Sequence, residues 1–599
     1  MWLRLPSIGA VLEAALGVLR RFPLVVACAA AAALAAILMS EDLGAVVLRE
    51  RLLVAATLGL PLLTATTLLG ERSRSAAVRI GLAVLAVGLL AAVHLSWNGW
   101  TERIRAIRYA QLSATFHLIV AFLPFAGRDR PRAFWQYNRV LLTRMVVAAV
   151  SSGTLFLGLA LALAALNKLF GVDLPHTAYF RLWVLCGFVF TTWFFLGGVP
   201  TDLDALDRSE EYPAILRVFA QYTLVPLVTV YLVILTLYFC KVVVLWDWPS
   251  GWIGYLVSGV AVAGIFALLL VQPLAERSDQ QWISGFARAF WLGMLPAVAM
   301  LWLAIYQRIH QYGVTEARYF LLVLSLWLGA VAVWYGATRS RRIQVIPTSL
   351  CLLGALSFAG PWGAYAASRR SQVARVRDLL AAHGVLAGGR VHKATAGIPA
   401  ADRRALSGAV RYLVETHGSR ALAPLLGDSF TAKVVVPAER SQSDPDDRAR
   451  VILAALGVGY VSRWETPGAS GAWFSFSAGP DDAIPVAGYD LLLRIRDDSA
   501  PPAARDTVPV ARLARGMRVI RIARGGTTLL DVPLDSILRV LAAGPGIATF
   551  PASAMRVEAA GAGAQAVALL KLINGYAGPG GTDVRGVEGV VLLRLRPRR

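Results

Sequence analysis

Phe219-Ala-Gln-Tyr-Thr-Leu-Val-Pro-Leu-Val-Thr-Val-Tyr-Leu-Val-Ile-Leu-Thr-Leu-Tyr-Phe-Cys-Lys-Val-Val-Val-Leu245 decides the fold. A helix needs about 20 mostly apolar residues to cross the hydrocarbon of a bilayer. This run exceeds that length. Its one charge, Lys241, lies near the end, where a long side chain reaches the headgroups. Trp246-Asp247-Trp248-Pro249-Ser250-Gly251-Trp252 follows, a short loop dense in interfacial aromatics. Four more apolar runs complete residues 219–366, again joined by loops rich in Trp, Tyr, Pro and Arg. Working outward, the same criterion gives eleven spans, at 23–40, 52–70, 76–96, 109–126, 141–167, 180–200, 219–245, 252–273, 286–306, 319–338 and 345–366. The fourth carries Gln111, Ser113, Thr115 and His117, a polarity that also fits a re-entrant or buried segment.

Composition agrees. Of 599 residues, 57% are hydrophobic and 16% charged, where soluble proteins carry about 25% charged residues. The net charge of +22 suits loops that face anionic lipid. No recognition helix, zinc-ligand spacing or aromatic RNA-binding strand accompanies it, which argues against a nucleic-acid partner. Cys28, Cys186, Cys240 and Cys351 all lie inside apolar runs and read as packing residues, not as a disulfide framework or metal cluster.

Residues 1–22 form a separate element. Ile8, Leu12, Ala15, Leu16 and Leu19 share one helical face, with Glu13 and Arg20 off it, the pattern of an interfacial helix. An extension of the first span fits equally. With the N-terminus cytoplasmic, the inner segments hold Arg4, Arg20, Arg21, Arg72, Arg74, Arg128, Arg130, Arg132, Arg139, Arg339, Arg341 and Arg342. The outer loop with Arg103, Arg105 and Arg108 runs against that bias. Eleven spans place the chain after Ala366 outside the cytoplasm; ten place it inside.

Beyond Ala366 the chain becomes polar and Arg-rich. Ser371–His383 and Pro399–His417 read as helices, Tyr489–Ile495, Arg518–Ile522 and Val590–Leu595 as strands, and 437–449 as an exposed loop. The expected fold is thus a polytopic α-helical membrane protein of about eleven spans with a C-terminal soluble α+β domain. Its parts are an interfacial helix at 1–22, a transmembrane domain at 23–366 and the soluble domain at 367–599.

Several segments resemble a known family. They are Lys241 to Trp252, Tyr306-Gln-Arg308-Ile-His-Gln-Tyr312-Gly313-Val-Thr315-Glu-Ala-Arg318-Tyr319, Gly360-Pro361-Trp362, Ser371-Gln372, Val410-Arg411-Tyr412-Leu413 and Gly488-Tyr489-Asp490. Together they look similar to the bacterial domain-of-unknown-function family 4153. The resemblance implies a multi-pass bacterial inner-membrane protein and supplies no reaction.

Chemistry is sparse. There is no phosphate loop, His-Glu-x-x-His, Gly-x-Ser-x-Gly or strand-linked Gly-x-Gly-x-x-Gly, so no catalytic residue, cofactor or metal is assigned. No Asp or Glu lies inside the proposed spans, which counts against proton coupling. Pro61, Pro226 and Pro296 mark kinks or breaks. The candidate functional surface is Asp247, Trp248, Arg308, Tyr312, Arg318, Tyr319 and Trp362, all on the face where the soluble domain begins. Glu316 and Arg318 are expected to pair. Besides the bilayer, this surface suits anionic lipid headgroups held by Arg308 and Arg318, or envelope proteins. The leading expectation is action by binding, assembly or signal transfer through the C-terminal domain. The rivals are a permease with a midplane site between broken helices, and a lipid- or glycan-modifying enzyme using Asp247 with Arg308.

Overall fold

A computed structural model describes residues 8–41, 46–97, 101–175, 177–209, 211–245, 253–276, 281–338, 342–388, 390–394, 397–440, 444–462, 472–479, 484–496, 508–514, 518–525, 527–541, 547–561, 563–578 and 581–595. The chain divides into two compact units, 1–398 with 409–458, and 399–408 with 459–599.

The first unit is helical. α1 (Ile8–Arg21) carries its apolar stripe as expected, and the chain bends by 100° at Phe22 before α2 (Pro23–Met39). Pro23 starts α2 where a missing N–H costs nothing. Then follow α3 (Val46–Glu71), α4 (Ala76–Ser96), α5 (Glu102–Phe122), α6 (Pro131–Phe170), α7 (Thr177–Leu196), α8 (Ala214–Leu245), α9 (Ile253–Val271), α10 (Gln281–Tyr312) and α11 (Glu316–Thr338). Among the described residues nine helices are long and apolar enough to cross a membrane, or ten if the bent pair α1–α2 makes one span. The polar fourth run is one continuous helix within this set. α12 (Val345–Phe358) has only 14 residues, about 21 Å of helix.

Charged contacts sort to two rims of this bundle. At one rim Arg21 binds Glu71 and the carbonyls of Val199 and Pro200, Arg72 reaches the Leu123 carbonyl, Arg130 pairs with Asp204, and Arg342 with Asp129. At the other rim Arg49 reaches the Leu38 carbonyl, Arg181 pairs with Glu41, and Arg105 with Glu50. The alternation follows chain order. Arg342 at the first rim and Trp362, which accepts a hydrogen bond from Tyr319 through its carbonyl, bracket α12. Short as it is, α12 therefore runs from rim to rim, and the chain leaves the bundle on the side opposite α1.

Two large apolar cores and smaller clusters fill the bundle among the described residues. One joins Val18, Phe22, Leu58 and Phe116 to Tyr137; the other joins Val257, Phe290, Trp291 and Leu301 to Leu328. α13 (Ala364–Ala382) follows the bundle. α14 (Ala400–His417) gives residues 400–408 to the second unit and 409–417 to the first. α15 (Pro445–Ala455) falls where the sequence suggests a loop. Asp444 accepts from the Asp446 amide at 2.8 Å and Pro445 sits in the first turn, so Asp-Pro-Asp-Asp starts a helix here. Residues 441–443 of that expected loop lie outside the described residues.

The second unit is built on a nine-stranded sheet. Its strands are β1 (Ala472–Ala478), β2 (Leu491–Arg496), β3 (Val510–Ala514), β4 (Val519–Arg524), β5 (Thr527–Pro533), β6 (Ile547–Phe550), β7 (Arg556–Ala560), β8 (Ala564–Gly578) and β9 (Gly581–Leu595). The order is β5-β4-β3-β2-β9-β8-β1-β6, with β7 also pairing β8. β1 with β6 and β2 with β3 are parallel, and the remaining pairs antiparallel. Alternating residues such as Ala566, Ala568 and Leu570 of β8 face a core with Phe476, Ile520 and Leu593.

Candidate functional site

Between α10 and α11 the chain turns at Gly313, whose φ of +72° is natural only for glycine. α13 fastens this turn. Gln372 donates to the carbonyls of Tyr312 (2.9 Å) and Val314 (3.1 Å), and Ser371 Oγ accepts from the Val314 amide at 2.9 Å. A Cβ at position 313 would stand 2.7 Å from Gln372 Nε2, so the close approach also needs glycine. Arg318 donates to the Gly313 carbonyl (2.8 Å) and Arg375 to that of Gln311 (2.5 Å). Both guanidinium groups lie over the Tyr312 ring, 5.4 and 6.0 Å from its centre. They serve carbonyls at the negative end of α10, where cations are favoured.

Glu316, the first residue of α11, is the centre of the arrangement. It does not pair with Arg318 as the sequence suggests. Its Oε1 accepts from Ser368 at 2.5 Å and lies 3.2 Å from His417 Nε2, and its Oε2 accepts from the Tyr412 hydroxyl. Glu316 is 3% exposed and Ser368 0%. A buried carboxylate persists only where donors replace its water, and three do so here. The first turn of a helix adds a favourable dipole.

Serine, histidine and glutamate invite comparison with a nucleophilic relay. The geometry differs. Ser368 and Glu316 both meet the same imidazole nitrogen, each at 3.2 Å, whereas a relay uses opposite ring nitrogens. This cluster is a lock joining α11, α13 and α14.

Around it the contacts widen. Thr101 donates to the Thr416 carbonyl, Arg103 pairs with Glu415 at 2.6 Å, and Arg411 bridges Glu415 (3.0 Å) and Asp446 (3.7 Å). The Arg108 guanidinium stacks on Tyr365 and Phe358, and Tyr365 donates to Gln111, which donates to the Gly354 carbonyl. Gln111, one of the polar residues that weaken the fourth run, thus holds α5 to α12 and α13.

Of the sequence-predicted surface, Arg308, Tyr312, Arg318, Tyr319 and Trp362 gather on this rim; Arg308 and Tyr312 are exposed, and Trp362 donates to the Leu356 carbonyl. Asp247 and Trp248 lie outside the described residues. Ser368 and His417 escaped sequence reasoning. Their signal is faint: each is one of several polar residues on its helix, Ser368 beside Arg369 and Arg370 and His417 beside Glu415 and Thr416, and their partners lie far away in the chain.

Burial, then the charge of Glu316, then the hydrogen bond to it hold the Tyr412 hydroxyl protonated far above its usual 10.0. The unfolded chain therefore loses this proton first. The stabilisation is complete below pH 10.0 and is lost as pH rises beyond it. Tyr412→Phe should be less stable at neutral pH, yet show a shallower fall in melting temperature between pH 9 and 11 than wild type. Parallel curves would contradict this.

The profile of a family described as a domain of unknown function (DUF4153) matches residues 24–384. The chain belongs to the DUF4153 family. The DUF4153 match takes in every span and ends after α13, so it includes Glu316 and Ser368 but not Tyr412 or His417. An uncharacterised protein of Pasteurella multocida (strain Pm70) is 28% identical over 285 residues. The aligned part is 45% of this chain and 45% of that protein, so less than half of the relative is spanned. No solved structure matches this DUF4153 chain. Among the described residues no group of His, Cys, Asp or Glu comes together that could hold a metal.

Proposed function

We propose that this DUF4153 member is a multi-pass protein of the bacterial inner membrane that works by binding, assembly or signal transfer through the segment after α12. The reading rests on one observation. The first residue of a span, Glu316, is held by α13 and α14, helices that follow the last run, in a lock of buried hydrogen bonds. Such a lock makes α11 and these helices move as one body. α14 continues into the second unit, so a displacement of α11 has a covalent route onward. Loosening the lock with Ser368→Ala and Tyr412→Phe should raise hydrogen exchange in 364–382 and 409–417 while α2–α6 keep their protection. Unchanged exchange in both segments would remove the proposal.

With the arginine-rich Arg21 rim read as the cytoplasmic side, the rim-to-rim alternation is consistent with a chain that continues outside the cytoplasm after α12. Alkaline phosphatase fused after Arg599 should be active and a green fluorescent fusion dark. The reverse pattern overturns this orientation.

A further inference from the structure

The first unit contains a second feature, independent of the Glu316 lock. A cavity of about 350 Å³ opens between α2, α3, α5, α6 and α7. Most of its wall is apolar, with Leu60, Leu141 and Phe195, but Thr64, His117 and Asn138 interrupt it. Two irregularities flank it. Pro61 cannot donate to the backbone of α3, and a π-helical turn at Leu185–Phe190 widens α7 just before Thr191 and Thr192. Both interrupt the regular α-helical backbone, and π turns in helices recur at functional sites.

The polar groups here are incompletely used. Asn138 donates to the carbonyls of Ala121 (3.1 Å) and Phe134 (2.8 Å), which consumes its amide hydrogens and leaves its oxygen as an acceptor. His117 Nδ1 meets the Ser113 carbonyl at 2.7 Å, and the ring is otherwise exposed. Beside the cavity stands Arg144, adjacent in sequence to the lining residue Met145. It is exposed and has no hydrogen bond or ion pair among the described residues. Its side chain lies against Gly198, where a Cβ would come within 2.3 Å of its Cδ and Nε. Gly198 precedes Val199, whose carbonyl Arg21 binds, so this cation stands at the Arg21 rim. An unpaired cation on a membrane-crossing helix calls for an anion.

We infer that this cavity binds an anionic amphiphile, with its alkyl chain among Leu60, Leu141 and Phe195 and its phosphate or carboxylate head on Arg144. A small hydrophilic solute is disfavoured, because the apolar wall would leave its polar groups unpaired. A neutral apolar chain would leave Arg144 without a counter-ion. A bilayer phospholipid and a single-chain anion share the required chemistry.

The test uses the full chain in zwitterionic phosphatidylcholine nanodiscs, with dodecyl phosphate and dodecanol as probes. Binding is read as adducts in native mass spectra and as thermal shift. Dodecyl phosphate should give one adduct per chain and raise the melting temperature. Arg144→Gln should weaken it by about tenfold or more, the scale of one lost charge-assisted contact, and bring it level with dodecanol. Ala121→Phe, which fills the cavity, should abolish the adduct. If that variant does not fold, Leu142→Trp at the exposed edge serves in its place. Competition by phosphatidylglycerol assigns the site to a membrane phospholipid, and its failure to compete assigns it to a single-chain anion; either supports the inference. Equal binding of dodecyl phosphate and dodecanol by wild type, or an adduct undiminished in the filled cavity, overturns it.

Discussion

Glu316→Ala should destabilise the first unit by about 3–5 kcal/mol, the range found when one partner of a buried charged cluster is removed. The loss has two parts. The carboxylate's own interactions go, and the Tyr412 hydroxyl loses the carboxylate it donates to, while Ser368 and His417 keep only the 3.2 Å contacts that Ser368 makes with the Tyr365 carbonyl and with His417 Nε2. Glu316→Gln keeps the shape and one acceptor oxygen but turns an N–H toward a donor, so it should cost less, about 1–3 kcal/mol. Denaturant or thermal melts of the purified protein in detergent would show this order. The three donors share one acceptor, so their single substitutions should not sum. Ser368→Ala with Tyr412→Phe should cost less together than the two losses added. A melting temperature unmoved in Glu316→Ala would mean that the carboxylate holds nothing.

The second large effect lies in the bundle core. Gly264 of α9 faces Phe290 of α10, and a Cβ at 264 would stand 1.9 Å from the ring. That ring is fully buried and meets Trp291 edge-on, and Trp291 stacks on Tyr335 at 5.0 Å. It has nowhere to turn. Gly264→Ala should therefore cost about 1–3 kcal/mol despite the better helix propensity of alanine, and Gly264→Leu should prevent folding. Phe290→Leu loses packing by itself, but combined with Gly264→Ala it should recover part of the loss. A Gly264→Ala protein as stable as wild type would contradict the close packing.

How much of this was written in the chain depends on the range of the interaction. The spans were legible because apolar length is a local property, and each of the eleven runs became a helix. α12 is shorter than its run because Ala359-Gly360-Pro361 ends it: Gly360 takes a φ of +85°. The residues before and after it still carry the chain from rim to rim. The family was legible from segments at the ends of spans, such as Tyr306 to Tyr319. The lock was not. Glu316 sits two residues from Arg318, and proximity in sequence suggested a pair. Its actual partners Ser368 and Tyr412 are 52 and 96 positions away. Arg318 meanwhile serves the carbonyls that end α10, a need that hydropathy does not register. Among strands, Tyr489–Ile495 and Val590–Leu595 fall on β2 and β9, which pair in antiparallel register. That pairing, and the order of the other strands, came only with the fold.

The length of α12 has a further consequence. About 21 Å of helix meets a hydrocarbon layer of about 30 Å, while Leu352 and Leu356 on its outer side are exposed. Thinning of the leaflets is one way to meet so short a helix, at a fraction of a kcal/mol per Å of mismatch. Lipids with shorter tails relieve it and longer ones aggravate it, so the melting temperature should fall as acyl chains lengthen. The protein will accordingly partition toward the thinner patches of its own membrane.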